Sequence, residues 1–204
     1  MGYVKRRVST SAKVPPQDFD KRKEQFLYDA KVLVNYEEIP DYLVINWDHT
    51  GIKYIPVSSW TMEKEGKKRV EILGIDDKRQ ITAVFAATKD GNFLPIQVLY
   101  KGKTARCLPK VKFPSDWLVS YTENHWANEQ TTKEYIYTIL LSYVNCKREE
   151  LGLPSDYPAL VVYDRFKAQC TNDVLQILRE NHIDTLLIPA SCTDQLQPLD
   201  VSVK

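Results

Sequence analysis

Two short apolar runs each end at an aspartate, and this pattern restricts the fold more than any other feature of the chain. Residues 43–47 precede Asp48, and residues 159–163 precede Asp164. Both runs are rich in β-branched and aromatic residues, which is typical of strands that are buried on both faces. Such strands belong to a sheet that is covered by helices.

The first half of the chain predicts a helix before the first of these strands and a hairpin after it. A helix is expected over 18–35, with Asp18 as its N-terminal cap. Strands are expected at about 80–88 and 93–100. The turn sequence at 90–92, Asp-Gly-Asn, lies between them and predicts that they pair as an antiparallel hairpin.

The second half predicts helices that alternate with strands. A helix should begin near Thr131, which has capping-box spacing to Glu134. A further helix is expected at about 172–182 and a buried strand at 185–188. The resulting order is helix, three strands, helix, strand, helix, strand. It predicts an α/β fold with a mixed sheet flanked by helices, and it resembles the order of the RNase H-like fold.

The length of 204 residues suits one domain with a sizeable core. Residues 1–17 are polar and basic, so we expect a linker or tail there, followed by one domain over 18–204. A last helix is expected after the final strand, and the chain ends as that helix should begin. We therefore expect the final helix to be truncated and the domain to be incomplete at its C-terminus.

Composition and charge exclude several classes of partner and cofactor. No apolar run approaches the roughly 18 residues of a membrane span, so no membrane partner is expected. The net charge is +1, so a nucleic-acid surface would have to be a local patch. The four cysteines form no CxxC pair, which argues against a zinc site.

The two aspartates suggest a metal site. If their strands are parallel neighbours, both carboxylates lie at the same edge of the sheet, where open α/β sheets bind ligands. Carboxylates in close approach repel each other and favour a shared cation, and oxygen ligands suit Mg²⁺ or Mn²⁺. The alternative from this pattern is that each aspartate merely ends a strand or caps a loop.

Four stretches of sequence carry a resemblance to a known family. They are LVINWDHTGIKYIPVSSWTM at 43–62, DDKRQITAVFAATKDGNFLPIQVLYKGKT at 76–104, VVYDRFKAQ at 161–169 and IPASCTDQLQPLDVSV at 188–203. Together they resemble the DDE/D transposase domain of the pogo and Tigger type, which is related to the Jerky and centromere-protein-B proteins. The resemblance extends from about residue 18 to the end, and its most specific part is Leu-Gln-Pro-Leu-Asp at 196–200.

The resemblance implies a set of catalytic residues. Asp48, Asp164 and Asp200 become the three catalytic and metal-binding aspartates, with two Mg²⁺ or Mn²⁺ ions as cofactors. Asp194 is the alternate third carboxylate, favoured by a mariner-like alignment. Proline favours the first position of a helix, so Asp200, two positions after Pro198, should lie in a first helical turn.

The resemblance also implies an activity and a setting. The activity is metal-dependent cleavage of DNA strands and their transfer into target DNA, in the nucleus, with possible self-association. The sequence departs from the family pattern at His49, where Glu or Gln is frequent, and at Arg165, where Asn is frequent. Two alternatives stay open. One is a domesticated, catalytically silent relative that binds DNA or chromatin, and the other is a nuclease of RNase H-like fold that acts on RNA–DNA hybrids.

A run of basic residues is the best candidate for contacts with DNA phosphates. Residues 101–112 carry five basic and no acidic side chains. Lysine and arginine bind phosphates without reading the base sequence. The candidate DNA-binding residues are Lys101, Lys103, Arg106, Lys110 and Lys112.

Overall fold

The computed structural model describes residues 16–54, 79–190 and 192–199. These residues form helices and strands in an α/β order. The elements are α1 (Pro16–Tyr36), β1 (Val44–Lys53), β2 (Gln80–Thr88), β3 (Gln97–Lys101), β4 (Leu118–Thr122), α2 (Glu129–Tyr135), α3 (Leu141–Glu150), β5 (Ala159–Tyr163), α4 (Asn172–Glu180), β6 (Ile183–Leu187) and α5 (Thr193–Leu196). A π-helical segment, Ile136–Leu140, joins α2 to α3.

The six strands form one mixed sheet in the order β4-β3-β2-β1-β5-β6. Strand β2 is antiparallel to both of its neighbours, and the other pairs are parallel. The carboxyl ends of β1, β3, β4, β5 and β6 therefore lie at the same edge of the sheet. The predicted mixed sheet with flanking helices is confirmed.

The sheet differs from the prediction in strand number and strand length. Strand β4 was not predicted, because it is short and has Ser120 and Thr122 among its five residues. Strand β1 continues beyond Asp48 to Lys53, and the predicted third strand begins at Gln97 instead of residue 93. The extension of β1 pairs only with β2, so it lacks the apolar pattern of a strand that is buried on both sides.

Two predicted N-terminal caps were wrong, although both helices begin within two residues of the predicted positions. Helix α1 begins at Pro16, which places Asp18 in the first turn and not at the cap. The capping box of α2 is formed by Asn128 and Thr131, with Asn128 Oδ1 accepting from the Thr131 backbone N–H at 2.9 Å. Glu134 instead accepts a hydrogen bond from Ser120 Oγ at 2.7 Å. Both pairs have the spacing of a capping box, and an asparagine caps a helix as well as a threonine does.

The main core lies between the sheet and the helical segment that starts at α2. Trp47 is 1% exposed and stacks on Tyr135 of α2 with ring centroids 5.2 Å apart. Side chains alternate along a strand, so Asn46 and Asp48 project from the face of β1 opposite to Trp47. Within the described residues, no helix is both long and apolar enough to cross a membrane. The predicted tail at 1–17 lies almost wholly outside these residues.

Candidate active site

Asp48 lies on β1 and Asp164 directly follows β5, at matching positions along two neighbouring parallel strands. Trp47 of β1 pairs in register with Tyr163 of β5, and the two aspartates are the next residues along each strand. Neighbouring strands are about 4.8 Å apart. The structure therefore brings these two predicted residues together at the carboxyl edge of the sheet, where open α/β sheets place their ligands.

Both aspartates line one cavity of about 250 Å³. Asp48 is buried, with 4% of its surface exposed, and Asp164 is half-buried. Strand β5 ends at Tyr163 while β1 continues with β2 alone beside it, and this difference in length opens the space. The polar side chains that share this cavity with the aspartates are His49, Thr50, Gln80, Thr82 and His125.

The donor chemistry of this cavity fits a divalent cation. Two carboxylates at one edge supply hard, negatively charged oxygen ligands of the kind that Mg²⁺ and Mn²⁺ prefer. Over residues 16–54, 79–190 and 192–199, no group of three or more His, Cys, Asp or Glu side chains is placed to hold an ion. The predicted third aspartate, Asp200, lies outside the described residues. Asp194 is part of the short helix α5.

The C-terminal segment is anchored to the strand that carries Asp48. Gln197 is fully buried and donates a hydrogen bond from Nε2 to the Trp47 carbonyl oxygen at 3.2 Å. Asn46 Nδ2 donates to Gln197 Oε1 at 3.3 Å, and the Leu199 backbone N–H donates to Asn46 Oδ1 at 3.1 Å. Pro198 and Leu199 are helical, as the sequence predicted for a helix beginning at the proline.

Sequence reasoning missed the function of Asn46. This asparagine lies within an apolar run, two residues before Asp48 and on the same face of β1. A polar residue inside a buried strand needs hydrogen-bond partners, and this was the available signal. Asn46 finds them in Gln197, in Leu199 and in the Val162 carbonyl oxygen, to which its Nδ2 donates at 2.9 Å.

The side chain of His125 lies next to two residues of β2 and forms part of the cavity wall. Gln80 Nε2 lies 3.2 Å from His125 Nε2, and Thr82 Oγ1 lies 3.4 Å from His125 Nδ1. An amide nitrogen only donates, so Nε2 of the ring is the acceptor in this contact. Burial lowers the pKa of His125, and the positive charge of Lys101 lowers this pKa further. From the sequence, His125 was a candidate metal ligand or proton shuttle, with ordinary hydrogen bonding as the alternative, and both of its ring nitrogens lie within hydrogen-bond distance of β2 side chains.

The two departures from the family pattern occupy different environments. His49 is half-buried, and its ring lies 5.1 Å from that of Phe166 and 6.0 Å from that of Trp47. Arg165 is exposed. His49 therefore belongs to an aromatic group in the wall of the cavity, whereas Arg165 faces the solvent.

The basic run begins at the same edge of the sheet as the aspartates. Lys101 is the last residue of β3, and its charge reaches His125 in the cavity wall. Gly102 is required at the bend because a Cβ there would lie 2.3 Å from the Cβ of Cys107. Lys103 pairs with Glu123 at 3.4 Å. All five basic side chains of the run are exposed.

Comparisons with known proteins identify the family. The family model described as DDE superfamily endonuclease matches residues 78–204, which is more than half of the chain. A human protein, "Pogo transposable element with KRAB domain", is 27% identical over 78% of this chain. The human "Pogo transposable element with ZNF domain" is 22% identical over 66% of it. The chain spans only 24% and 10% of the lengths of these relatives.

Solved structures show the same fold. A pre-cleavage Mos1 transpososome superposes with a TM-score of 0.63 and 12% identity, over 98% of this chain and 52% of that chain. The catalytic domain of the Mos1 mariner transposase gives a TM-score of 0.54 and 13% identity, over 94% of this chain and 70% of that chain. The mixed sheet is thus the RNase H-like sheet of these transposases. The chain belongs to the DDE superfamily endonuclease family, and its relatives support a transposase domain of the pogo and Tigger type.

Proposed function

We propose that this chain is the catalytic domain of a DNA transposase, which cleaves DNA strands and transfers them in a reaction that requires divalent metal ions. The observation that carries the proposal is the adjacency of Asp48 and Asp164 at the carboxyl edge of the sheet, inside one cavity. Membership of the endonuclease family supports the reaction class.

Asp48 and Asp164 would hold the metal ions. Mos1 complexes are described with Mn and with Mg, which supports the same two metals here. When bound, divalent ions activate the attacking oxygen and stabilise the leaving oxygen of a phosphodiester. The protein's own contribution is to fix both carboxylates on rigid strands, so that the site is formed before DNA arrives.

Asp200 is the proposed third ligand. It follows Leu199, whose backbone is bonded to Asn46 on the same face of β1 as Asp48. Asn46 and Asp48 are two positions apart on β1, which corresponds to about 6.6 Å along the strand. This anchor supports Asp200 over Asp194, because Asp194 comes before the anchored residues and belongs to α5.

The proposed substrate is DNA at transposon ends and in a target. The basic run beside the cavity supplies exposed charges for phosphates, with Lys101 at the edge where the reacting strand would lie. Mos1 neighbours are described as paired end and strand transfer complexes, which supports DNA as partner and self-association of the transposase. Action on transposon DNA would place the protein in the nucleus.

Nicking of supercoiled plasmid in Mn²⁺ tests this function. We expect the chain to convert the plasmid to its relaxed form, and Asp48→Asn and Asp164→Asn to abolish this conversion. The matched control is Asp184→Asn, which removes an exposed carboxylate from β6. Nicking that persists in both cavity variants would contradict the proposal. DNA binding without any nicking by the wild type would also contradict it and would favour the catalytically silent relative.

A further inference from the structure

Four buried side chains carry polar atoms that have no hydrogen-bond partner within the part of the chain that the structure describes. They belong to β1, to α2 and to the turn Lys167–Gln169, here called the Gln169 turn. The atoms are Trp47 Nε1, Thr132 Oγ1, Tyr135 Oη, and both Nε2 and Oε1 of Gln169. All four residues are at most 1% exposed. Native proteins leave few buried polar atoms without a partner, because such an atom loses its hydration without compensation.

The four residues lie where β1, α2 and the Gln169 turn meet. Trp47 stacks on Tyr135 with ring centroids 5.2 Å apart, and Thr132 is three positions before Tyr135 on the same face of α2. The Gln169 turn packs against α2. The Gln169 carbonyl oxygen also accepts a hydrogen bond from Tyr163 Oη at 3.5 Å, and the Tyr163 ring lies 5.6 Å from the Trp47 ring. The unpartnered atoms therefore belong to one buried region.

The donors and acceptors of this group select the chemistry of its ligand. Trp47 Nε1 and Gln169 Nε2 only donate, Gln169 Oε1 only accepts, and the hydroxyls of Thr132 and Tyr135 do both. Burial raises the pKa of Tyr135, so its hydroxyl keeps the proton. A metal cation cannot accept from N–H groups, and an anion cannot donate to an amide oxygen. Water does both, and a buried water molecule typically makes about three hydrogen bonds.

We propose that these four side chains form a binding site for buried water, which joins the Gln169 turn to β1 and to α2. The turn begins three residues after Asp164, and Trp47 immediately precedes Asp48. Water in this site would therefore connect the segments that carry the two aspartates, on the face of β1 opposite to the Asp48 side chain. The site itself binds neither DNA nor metal, so it stands whether or not the chain cleaves DNA.

The sign of a change in stability tests this site. Gln169→Met keeps the side-chain length without the amide, and Tyr135→Phe removes only the hydroxyl oxygen. If these atoms bind water, each variant loses hydrogen bonds, and its unfolding equilibrium constant in urea experiments should rise by about 2-fold to about 10-fold. If the atoms have no partner, the same variants remove a buried polar group that destabilises the fold, and the constant should fall.

Two exposed residues supply matched controls. Gln130→Met on α2 and Tyr137→Phe on the π-helical segment make the same chemical changes at the surface and should leave the constant unchanged. An unfolding constant that falls or stays unchanged in both Gln169→Met and Tyr135→Phe would overturn the proposal.

The double variant tests whether Gln169 and Tyr135 share the same water. Once the Gln169 amide is gone, the water is held less firmly, so Tyr135→Phe should destabilise the chain less than it does in the wild type. We expect this coupling to change the unfolding constant by at least about 2-fold. Strictly additive losses would contradict a shared site.

A crystal structure that resolves ordered water separates bridging water from direct contact. We expect at least one water molecule within about 3.2 Å of a Gln169 amide atom and also of Tyr135 Oη or Trp47 Nε1. A direct hydrogen bond between the Gln169 and Tyr135 side chains, or a dry interface between them, would overturn the proposal.

Discussion

Gln197 donates a hydrogen bond to the backbone carbonyl oxygen of Trp47, 150 residues away in the sequence, at 3.2 Å. The next residue after Trp47 is Asp48, so the bond fixes the C-terminal segment beside the first aspartate of the cavity. Both ends of the bond are buried, and Asn46 extends it by bonding to Gln197 and to Leu199. The Gln-Pro-Leu-Asp segment is therefore joined to β1 through its glutamine.

Replacing Gln197 should destabilise the fold. Gln197→Met keeps the side-chain length but leaves the Trp47 carbonyl oxygen and Asn46 without this partner. An unsatisfied buried polar group costs about 1–3 kcal/mol. Urea unfolding should show a loss of that size in the free energy of unfolding. Gln195→Met, at an exposed position on α5, should change it little. Equal stability of the Gln197 variant and the wild type would contradict this account.

Asp200 should be required for cleavage and Asp194 should not. Asp200 follows the residue whose backbone is bonded to Asn46, whereas Asp194 belongs to α5. The measurement compares Asp200→Asn with Asp194→Asn in strand cleavage in Mn²⁺. We expect loss of cleavage only in the Asp200 variant. Loss in the Asp194 variant, with full activity in the Asp200 variant, would reverse the assignment.

The first half of the basic run should contact DNA phosphates. Replacing Lys101, Lys103 and Arg106 with alanine should weaken binding to any duplex. It should also lower the slope of log affinity against log salt by up to about 0.9 per lost contact. The matched control removes three exposed positive charges from α1, at Lys21, Arg22 and Lys23. If both triple variants change the slope equally, the run has no special role.

Acidification should reduce stability through His125. Burial holds the pKa of His125 below its ordinary value of 6.5. Below pH 6.5 the unfolded chain therefore binds more protons than the folded chain. The free energy of unfolding then decreases as the pH falls through this range. His125→Gln removes this dependence, so its stability should fall less than that of the wild type between about pH 7 and about pH 5. Parallel losses in urea unfolding would disprove the role of His125.

The parts of the fold predicted from sequence are those with strong local patterns. Runs 43–47 and 159–163 are apolar and β-branched, and the turn at Asp90-Gly91-Asn92 needs a glycine, which has a φ of 96° at Gly91. Strand β4 has no such pattern, because Ser120 and Thr122 interrupt its five residues, and it is recognisable only from its pairing with β3. Register between strands likewise follows from packing and not from local propensity.

The candidate site was predictable only in part. Asp48 and Asp164 each come directly after an apolar run. Because β1 and β5 are neighbours in the sheet, the two aspartates meet at one edge. The roles of Asn46 and His125 depend on contacts between distant segments, with Gln197 and with Gln80. No spacing in the sequence encodes such contacts. The basic run, in contrast, was recognisable from its local charge alone, and it begins at the carboxyl edge of the sheet because β3 ends there.

The most direct test of the account is the effect of Mn²⁺ on the melting temperature. A ligand that binds only the folded state stabilises it by mass action. We predict that Mn²⁺ raises the melting temperature of the wild type and of Asp184→Asn, and that this rise disappears in Asp48→Asn and in Asp164→Asn. A rise of the same size in Asp48→Asn would show that Asp48 is not a metal ligand and would contradict the central claim.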